Sequence, residues 1–476
     1  MNLACLLATA VTVAWGDGRQ TVEIDPPDVV RVSAEPMTAM KTKDAKAYPW
    51  SRQVTDPDPL HWGWVAGSRP KRYMACECTA RHSLVPETLV VRKQDGTVCE
   101  AGRDYELEPT WGAVARLPNG RIAADETVLL DYACRMRRLD LVYLDAAGQM
   151  KVRRGAPAPV MPVAPPAKPG EKKVATVWVD PQDAAVTEKD VFYVTEDRYP
   201  EKTYAAGEWP AERLLPKALA KLRRGEKLRI LAWGDSVTDG GYLPECDRWQ
   251  HQFVARLRRA YPKATICLES RGWGGRSSGT FLSTNAAPAG VSHPFNYRER
   301  ILGSDADLVV MEFVNDNGLP REVVYSRYGK ILADFRAAGK EWCILTPHYT
   351  RGDWMGLASQ QNVDEDPRGY VKAVRAFCAE KGVALADAAA RWGRLYRQGI
   401  PYESLLVNAI NHPNREGMGY FADALMALFP PVKAEPQLVC RVRDLGVGDR
   451  FAFDLRKGDV KVLISDARSQ ERNQKE

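Results

Sequence analysis

Leu228-Arg229-Ile230-Leu231-Ala232-Trp233 followed by Gly234-Asp235-Ser236-Val237-Thr238-Asp239-Gly240-Gly241 is the stretch on which the reading of the chain turns. An apolar run of this length, closed by turn residues, reads as a buried strand. In open α/β sheets ligands bind outside the carboxyl ends of the strands. Ser236 is therefore expected at a rim where chemistry occurs, and Gly234 is expected to let the chain turn sharply and leave the hydroxyl uncovered.

Working outward, residues 206 to 430 alternate strand and helix patterns. Ala264–Leu268, Leu308–Phe313, Trp342–Leu345 and Val383–Ala386 read as further strands. Trp249–Ala260, Val323–Ala338 and Arg415–Leu428 have helical spacing. A fourth helix is expected to open at Asp366-Pro367, with Asp as N-cap and Pro first, and to close at Gly382. Five strands separated by helices predict a doubly wound parallel sheet.

The flanks differ. Residues 19–155 carry short β-rich runs, such as Thr88–Val91, Thr127–Tyr132 and Leu139–Leu144, with hairpin signals at Asp95-Gly96 and Asn119-Gly120. They predict an all-β accessory domain whose Trp62, Trp64 and Trp111 serve packing rather than sugar stacking. Residues 156–173 are proline-rich and read as an extended linker. Residues 174–205 form a β-rich connecting segment, and 431–476 a β-like extension with a charged tail.

Residues 1–16 are apolar and too short to span a bilayer. With Ala14-Trp15-Gly16 as a small-x-small site before Asp17, they predict an export signal, the other reading being a buried first strand or helix. No other stretch is long and apolar enough to cross a membrane. Loss of Cys5 would leave nine of the ten cysteines, and their spacing shows neither a disulfide framework nor a zinc site. The net charge of +6 is spread out and predicts no nucleic-acid partner. Neither a metal nor a cofactor is expected.

Ester hydrolysis needs an activated nucleophile, a base and oxyanion donors. Ser236 is the nucleophile candidate. Ser270-Arg271-Gly272-Trp273-Gly274-Gly275-Arg276-Ser277 follows the second strand and offers a backbone N–H. Val314-Asn315-Asp316-Asn317 follows the third, and Asn411-His412-Pro413-Asn414 precedes the last helix. His348 ends another strand and, with Trp273 and Asp235, is a candidate to meet substrate. Trp354 and Tyr349 are as readily packing residues.

These four blocks, in this order, resemble those of the SGNH/GDSL hydrolase superfamily over residues 206–430. The resemblance implies an α/β/α sandwich with a five-stranded flavodoxin-like sheet. It implies Ser236 as nucleophile and His412 as general base, with the Ser236 and Gly275 backbone N–H groups and the Asn315 side chain as oxyanion hole. Three departures stand out. Ser270 replaces the usual Asn, Phe313 stands where Gly is common, and Ala409 occupies the place of the Asp three residues before His. Asn408, Asn411 or a backbone carbonyl is then expected to orient the imidazole. Gly275-Arg276-Ser277-Ser278-Gly279 also fits the G-x-S-x-G elbow, but it does not directly follow its strand.

The expected function is acyl-ester hydrolysis through an acyl-enzyme, on O-acetylated carbohydrate or another small ester. The alternatives are a lipase or lysophospholipase of the same superfamily, and a non-catalytic glycan-binding protein that lost the carboxylate.

Overall fold

The computed structural model describes residues 8–16, 18–42, 67–183, 185–284 and 295–432. Trp62, Trp64 and the extension from 433 onward lie outside the described residues.

Five parallel strands form the central sheet: Lys227–Gly234, Thr265–Gly272, Leu308–Glu312, Glu341–Leu345 and Ala384–Ala386. Their order is second, first, third, fourth, fifth, the flavodoxin-like arrangement. The first strand reads as a continuous apolar run because both of its faces are covered. Leu228, Ile230 and Ala232 point to one core, with the helices Pro216–Arg224, Trp249–Ala260 and Arg415–Met426. Leu231 and Trp233 point to the other, with the helices Arg321–Ala337 and Gly369–Lys381. The period-two alternation of the strand thus builds a three-layer sandwich. Trp233 anchors the second core, with Phe281, Phe313 and Phe335 packed edge-on at centroid distances of 5.6, 5.3 and 6.2 Å. Such aromatic pairs add roughly 0.5–1.5 kcal/mol each beyond their buried area.

The helix expected to open at Asp366 begins at Gly369, with Arg368 as its N-cap. Asp366 is held instead by the Arg368 guanidinium, Oδ2 to Nη2 at 2.5 Å, with both side chains buried. Its Oδ1 also accepts from Arg368 N–H at 2.9 Å, so the carboxylate fixes the turn just before the helix rather than its first turn.

The N-terminal region is all-β among the described residues. A three-stranded antiparallel sheet joins Asp28–Thr38, Thr127–Met136 and Leu84–Lys93. A four-stranded sheet runs Val191–Tyr193, Lys172–Val179, Arg138–Leu144, Met150–Arg153. Lys172–Val179 pairs along Arg138–Leu144, so the segment following the proline-rich stretch completes the sheet of the residues preceding it. Asn119-Gly120 makes a turn, closed by Gly120 N–H on Leu117 O at 3.0 Å, without joining two paired strands. Trp111 is buried in the apolar core of this region, in keeping with a packing role.

Part of the expected export signal is built into the fold. Thr9–Trp15 pairs antiparallel with Gly18–Ile24, and Val11 and Val13 are buried against Val142, Val174 and Val177. This corresponds to the buried-strand reading of the same residues.

The two regions dock through main-chain and core contacts. Thr195 N–H donates to Arg397 O at 2.7 Å, and Thr176 Oγ1 donates to Gly399 O at 2.7 Å. Ile410, from the loop before the last helix, is fully buried within the apolar core of the β-rich region.

Candidate active site

Ser236 opens a one-turn helix, Ser236–Asp239, directly after the first strand, at the point where the sheet order reverses. Gly234 is the last residue of that strand and does not adopt a positive φ. It is glycine because a Cβ would meet Glu312 O and Thr238 Oγ1, each at 2.1 Å. The expected freedom to turn is therefore replaced by a demand for close approach.

Asp235 is fully buried and does not face substrate, contrary to expectation. Its carboxylate accepts from Val237 N–H at 3.0 Å and from Asn315 N–H at 2.8 Å, tying the serine turn to the loop after the third strand. Burial pushes its carboxyl up to about 7, against the pull of these N–H groups. Glu312 lies beneath, with Oε2 accepting from Thr238 Oγ1 at 3.1 Å. Burial, reinforced by Asp235, raises Glu312 well above the usual carboxylate range. Ser270 finds a role that suits its hydroxyl: Gln250 Nε2 donates to Ser270 Oγ at 3.2 Å and to Thr238 O at 2.7 Å, bracing the same turn.

His412 reaches the serine from the loop before the last helix. Its Nε2 lies 2.9 Å from Ser236 Oγ. The Asn408 Oδ1 accepts from three successive main-chain N–H groups, those of Ile410, Asn411 and His412, at 3.0, 2.9 and 3.0 Å. Tyr242 stacks flat on the imidazole, with centroids 4.4 Å apart and planes 4° apart. Ring tilt is thus restricted on one face.

Contrary to the expectation drawn from the missing Asp, neither Asn408 nor Asn411 holds the far ring nitrogen. That nitrogen, Nδ1, lies 2.6 Å from Glu77 Oε2, which approaches off the N–H direction, so the pair is close in space without being an aligned hydrogen bond. Catalytic contacts of this kind often align only when substrate is bound. Asn408 contributes at one remove: its Nδ2 donates to Glu77 Oε2 at 3.3 Å and to Asn411 Oδ1 at 3.1 Å. Glu77, set between Cys76 and Cys78, carries no motif in the sequence that marks it as a partner of the imidazole. The one signal that pointed elsewhere was Ala409, which left the imidazole without a local acid.

The oxyanion candidates lie on the loops after the second and third strands, the latter tied to the serine turn by Asn315 N–H on Asp235. Gly275 is exposed and has φ +69°, in a turn closed by Arg276 N–H on Trp273 O at 3.2 Å. Its neighbour Gly274 lies against the serine, where an added Cβ would stand 3.8 Å from Ser236 Cβ. The Asn315 side chain is exposed, and its Nδ2 donates to Arg276 O at 3.2 Å, beside the same turn.

Other candidates fall away. His348 is fully buried between Trp392 and Phe421, at 5.3 and 5.8 Å, and does not line an open cleft. Burial holds its pKa well below the usual histidine value. Trp273 is half-buried, with its ring stacked on Phe295 at 4.7 Å and edge-on to Phe281 at 5.5 Å, so most of it serves packing. Ser277 caps the helix Ser278–Ser283, its Oγ accepting from Thr280 N–H at 3.3 Å, which accounts for its place in the rival elbow motif.

Residues 232–419 match the GDSL-like Lipase/Acylhydrolase family. A comparison with curated proteins found no match. Similar solved structures include a two-domain esterase (CEX) active on acetylated mannans, at 16% identity and TM-score 0.35, covering 45% of this chain and 52% of that one. The chain thus spans about half the length of that esterase. They also include Axe2, an acetylxylan esterase from Geobacillus stearothermophilus, at 17% identity and TM-score 0.33, covering 44% of this chain and 97% of the other. A member of the lipolytic protein G-D-S-L family from Veillonella parvula is 19% identical, with TM-score 0.29, covering 42% and 98%.

Proposed function

From a GDSL-like lipase/acylhydrolase domain at residues 232–419, we propose that the protein is a serine esterase that removes small acyl groups, with O-acetylated carbohydrate as the preferred substrate class. The observation that carries this reading is the 2.9 Å separation of Ser236 Oγ and His412 Nε2. At that distance the imidazole can take the hydroxyl proton as Oγ bonds to the ester carbonyl carbon. The Ser236 and Gly275 N–H groups and Asn315 Nδ2 then donate to the oxyanion. Imidazolium returns the proton to the departing alkoxide as the ester C–O bond breaks, leaving an acyl-serine. Water, deprotonated by His412, attacks the acyl carbon and releases the carboxylic acid and free Ser236.

The acyl group is read as small because the described loops after the parallel strands expose no large apolar side chain. Exposed Asp239 and Asn315 stand around the serine instead. A lipase with a long acyl chain needs an apolar rim that these residues do not supply. The non-catalytic reading rested on a missing carboxylate, and Glu77 stands beside His412.

The test is burst kinetics with p-nitrophenyl acetate. An initial burst stoichiometric with protein, absent in Ser236→Ala, supports the reading. Turnover that survives Ser236→Ala defeats it. Acetylated xylo- and manno-oligosaccharides set against p-nitrophenyl palmitate separate carbohydrate esterase from lipase.

A further inference from the structure

The geometry points to Glu77 as the carboxylate that orients and charge-balances His412, so that the β-rich region and the hydrolase domain jointly complete one catalytic centre. The inference rests on the esterase reading and adds to it the origin of the third member. Glu77 is a positioning residue: it acts on the ester only through the imidazole.

Glu77 sits near the tip of a small hairpin, closed by the Met74–Thr79 bridge and by Ala75 N–H on Cys78 O at 2.8 Å. The hairpin is fastened to the histidine loop on both sides of Glu77. Cys76 N–H donates to Val407 O at 3.2 Å, and Cys78 Sγ to Asn408 O at 3.2 Å. Arg69 Nη1 holds the Glu77 carbonyl, and Asn408 Nδ2 reaches the carboxylate itself. The hairpin backbone is thus fixed on both sides of Glu77, and Asn408 holds the carboxylate itself beside the imidazole.

The histidine loop cannot carry its own acid. Ala409 has φ +53°, and its side chain packs against the apolar core of the β-rich region. A carboxylate there would be driven into apolar surroundings rather than toward the ring. The buried acids of the site are committed: Asp235 to Val237 and Asn315, Glu312 to Thr238, and Asp316 to Ser278 N–H and Tyr328. Among the described residues Glu77 is the acid in ion-pair contact with His412.

The chemistry requires such a group. During serine attack the almost fully buried His412 becomes cationic. A carboxylate at Nδ1 stabilises that charge and, before attack, holds the proton on Nδ1 so that Nε2 is free to accept. Without it the ring can adopt the tautomer whose Nε2–H cannot take the serine proton.

The experiment uses the full chain with Glu77→Gln, Glu77→Asp and Glu77→Ala. With p-nitrophenyl acetate, Glu77→Gln should lower kcat about 10²- to 10⁴-fold with KM nearly unchanged. Glu77→Asp should recover part of the loss. Formate should partly restore Glu77→Ala, a rescue that a purely structural role does not allow. A kcat for Glu77→Gln within threefold of the parent overturns the proposal. A second readout does not depend on turnover: ¹⁵N spectra of histidine-labelled protein, with His412 identified by its loss in His412→Gln. The Nδ1–H tautomer in the parent, lost in Glu77→Gln, supports the assignment. The Nε2–H tautomer in the parent at pH 8 overturns it, even if the esterase reading fails for lack of serine-dependent hydrolysis.

Discussion

Gly272→Ala should act as a wedge beneath the serine. Gly272 ends the second strand, and a Cβ there would stand 2.0 Å from Asp239 N, 2.4 Å from Asp239 Cα and 2.7 Å from Thr238 C. All three atoms are backbone, so no side-chain rotation relieves the clash. Restoring an ordinary contact of about 3.4 Å requires the Ser236–Asp239 turn and the strand end to separate by about 1.4 Å. The serine and imidazole, now 2.9 Å apart, would lose their hydrogen bond. A displacement near 1 Å costs about 10²-fold in rate, or roughly 2.7 kcal/mol of barrier. Overpacking should also lower stability by about 1–3 kcal/mol. The assay is kcat on p-nitrophenyl acetate with urea unfolding in parallel. Gly274→Ala is the stability control, because its Cβ meets only Ser236 Cβ, at 3.8 Å. It should unfold at the parent midpoint. A Gly272→Ala enzyme with kcat within fivefold of the parent would refute the reasoning.

Asn315→Ala should lower kcat about 10²- to 10³-fold with little change in KM, as for loss of one oxyanion donor, and steady-state kinetics check it. Ile410→Ala should cost about 2–5 kcal/mol, because a fully buried side chain leaves the β-rich core. It should also lower kcat by loosening the histidine loop, so an unchanged kcat in fully folded protein would count against the coupling. Asp235 and Glu312 titrate above their ordinary range when folded, so between pH 4 and 7 the unfolded chain binds fewer protons than the native one. Their contribution to stability therefore falls as pH rises through that window, and Glu312→Gln should flatten the decline of Tm measured from pH 4.5 to 8.

Much of the hydrolase fold was legible because its signals are local. The first strand announces itself as an apolar run closed by turn residues, and each later strand recurs between helices of ordinary length. The four loops bearing Ser236, Gly275, Asn315 and His412 meet because parallel strands share one carboxyl edge. What was not legible depends on long-range approach. Gly234 looks like a turn residue in sequence, yet it is required by the carbonyl of a neighbouring strand. Asp235 looks available to substrate because it adjoins the serine, yet it is spent on two backbone donors. His348 ends a strand but is sealed between two aromatic rings. Glu77 has no periodicity or spacing that relates it to His412, since its partner Asn408 lies 331 positions away.

That distance along the chain has a bearing on biosynthesis. Chains emerge amino end first, and domains tend to fold as they appear. The hairpin of Glu77 is made long before the loop of His412, so the acid waits, already mounted, for the base to be translated. The nascent polypeptide thus has its serine well before it has the means to ionise it. Competence is switched on by the closing of the last loop onto a surface prepared at the start.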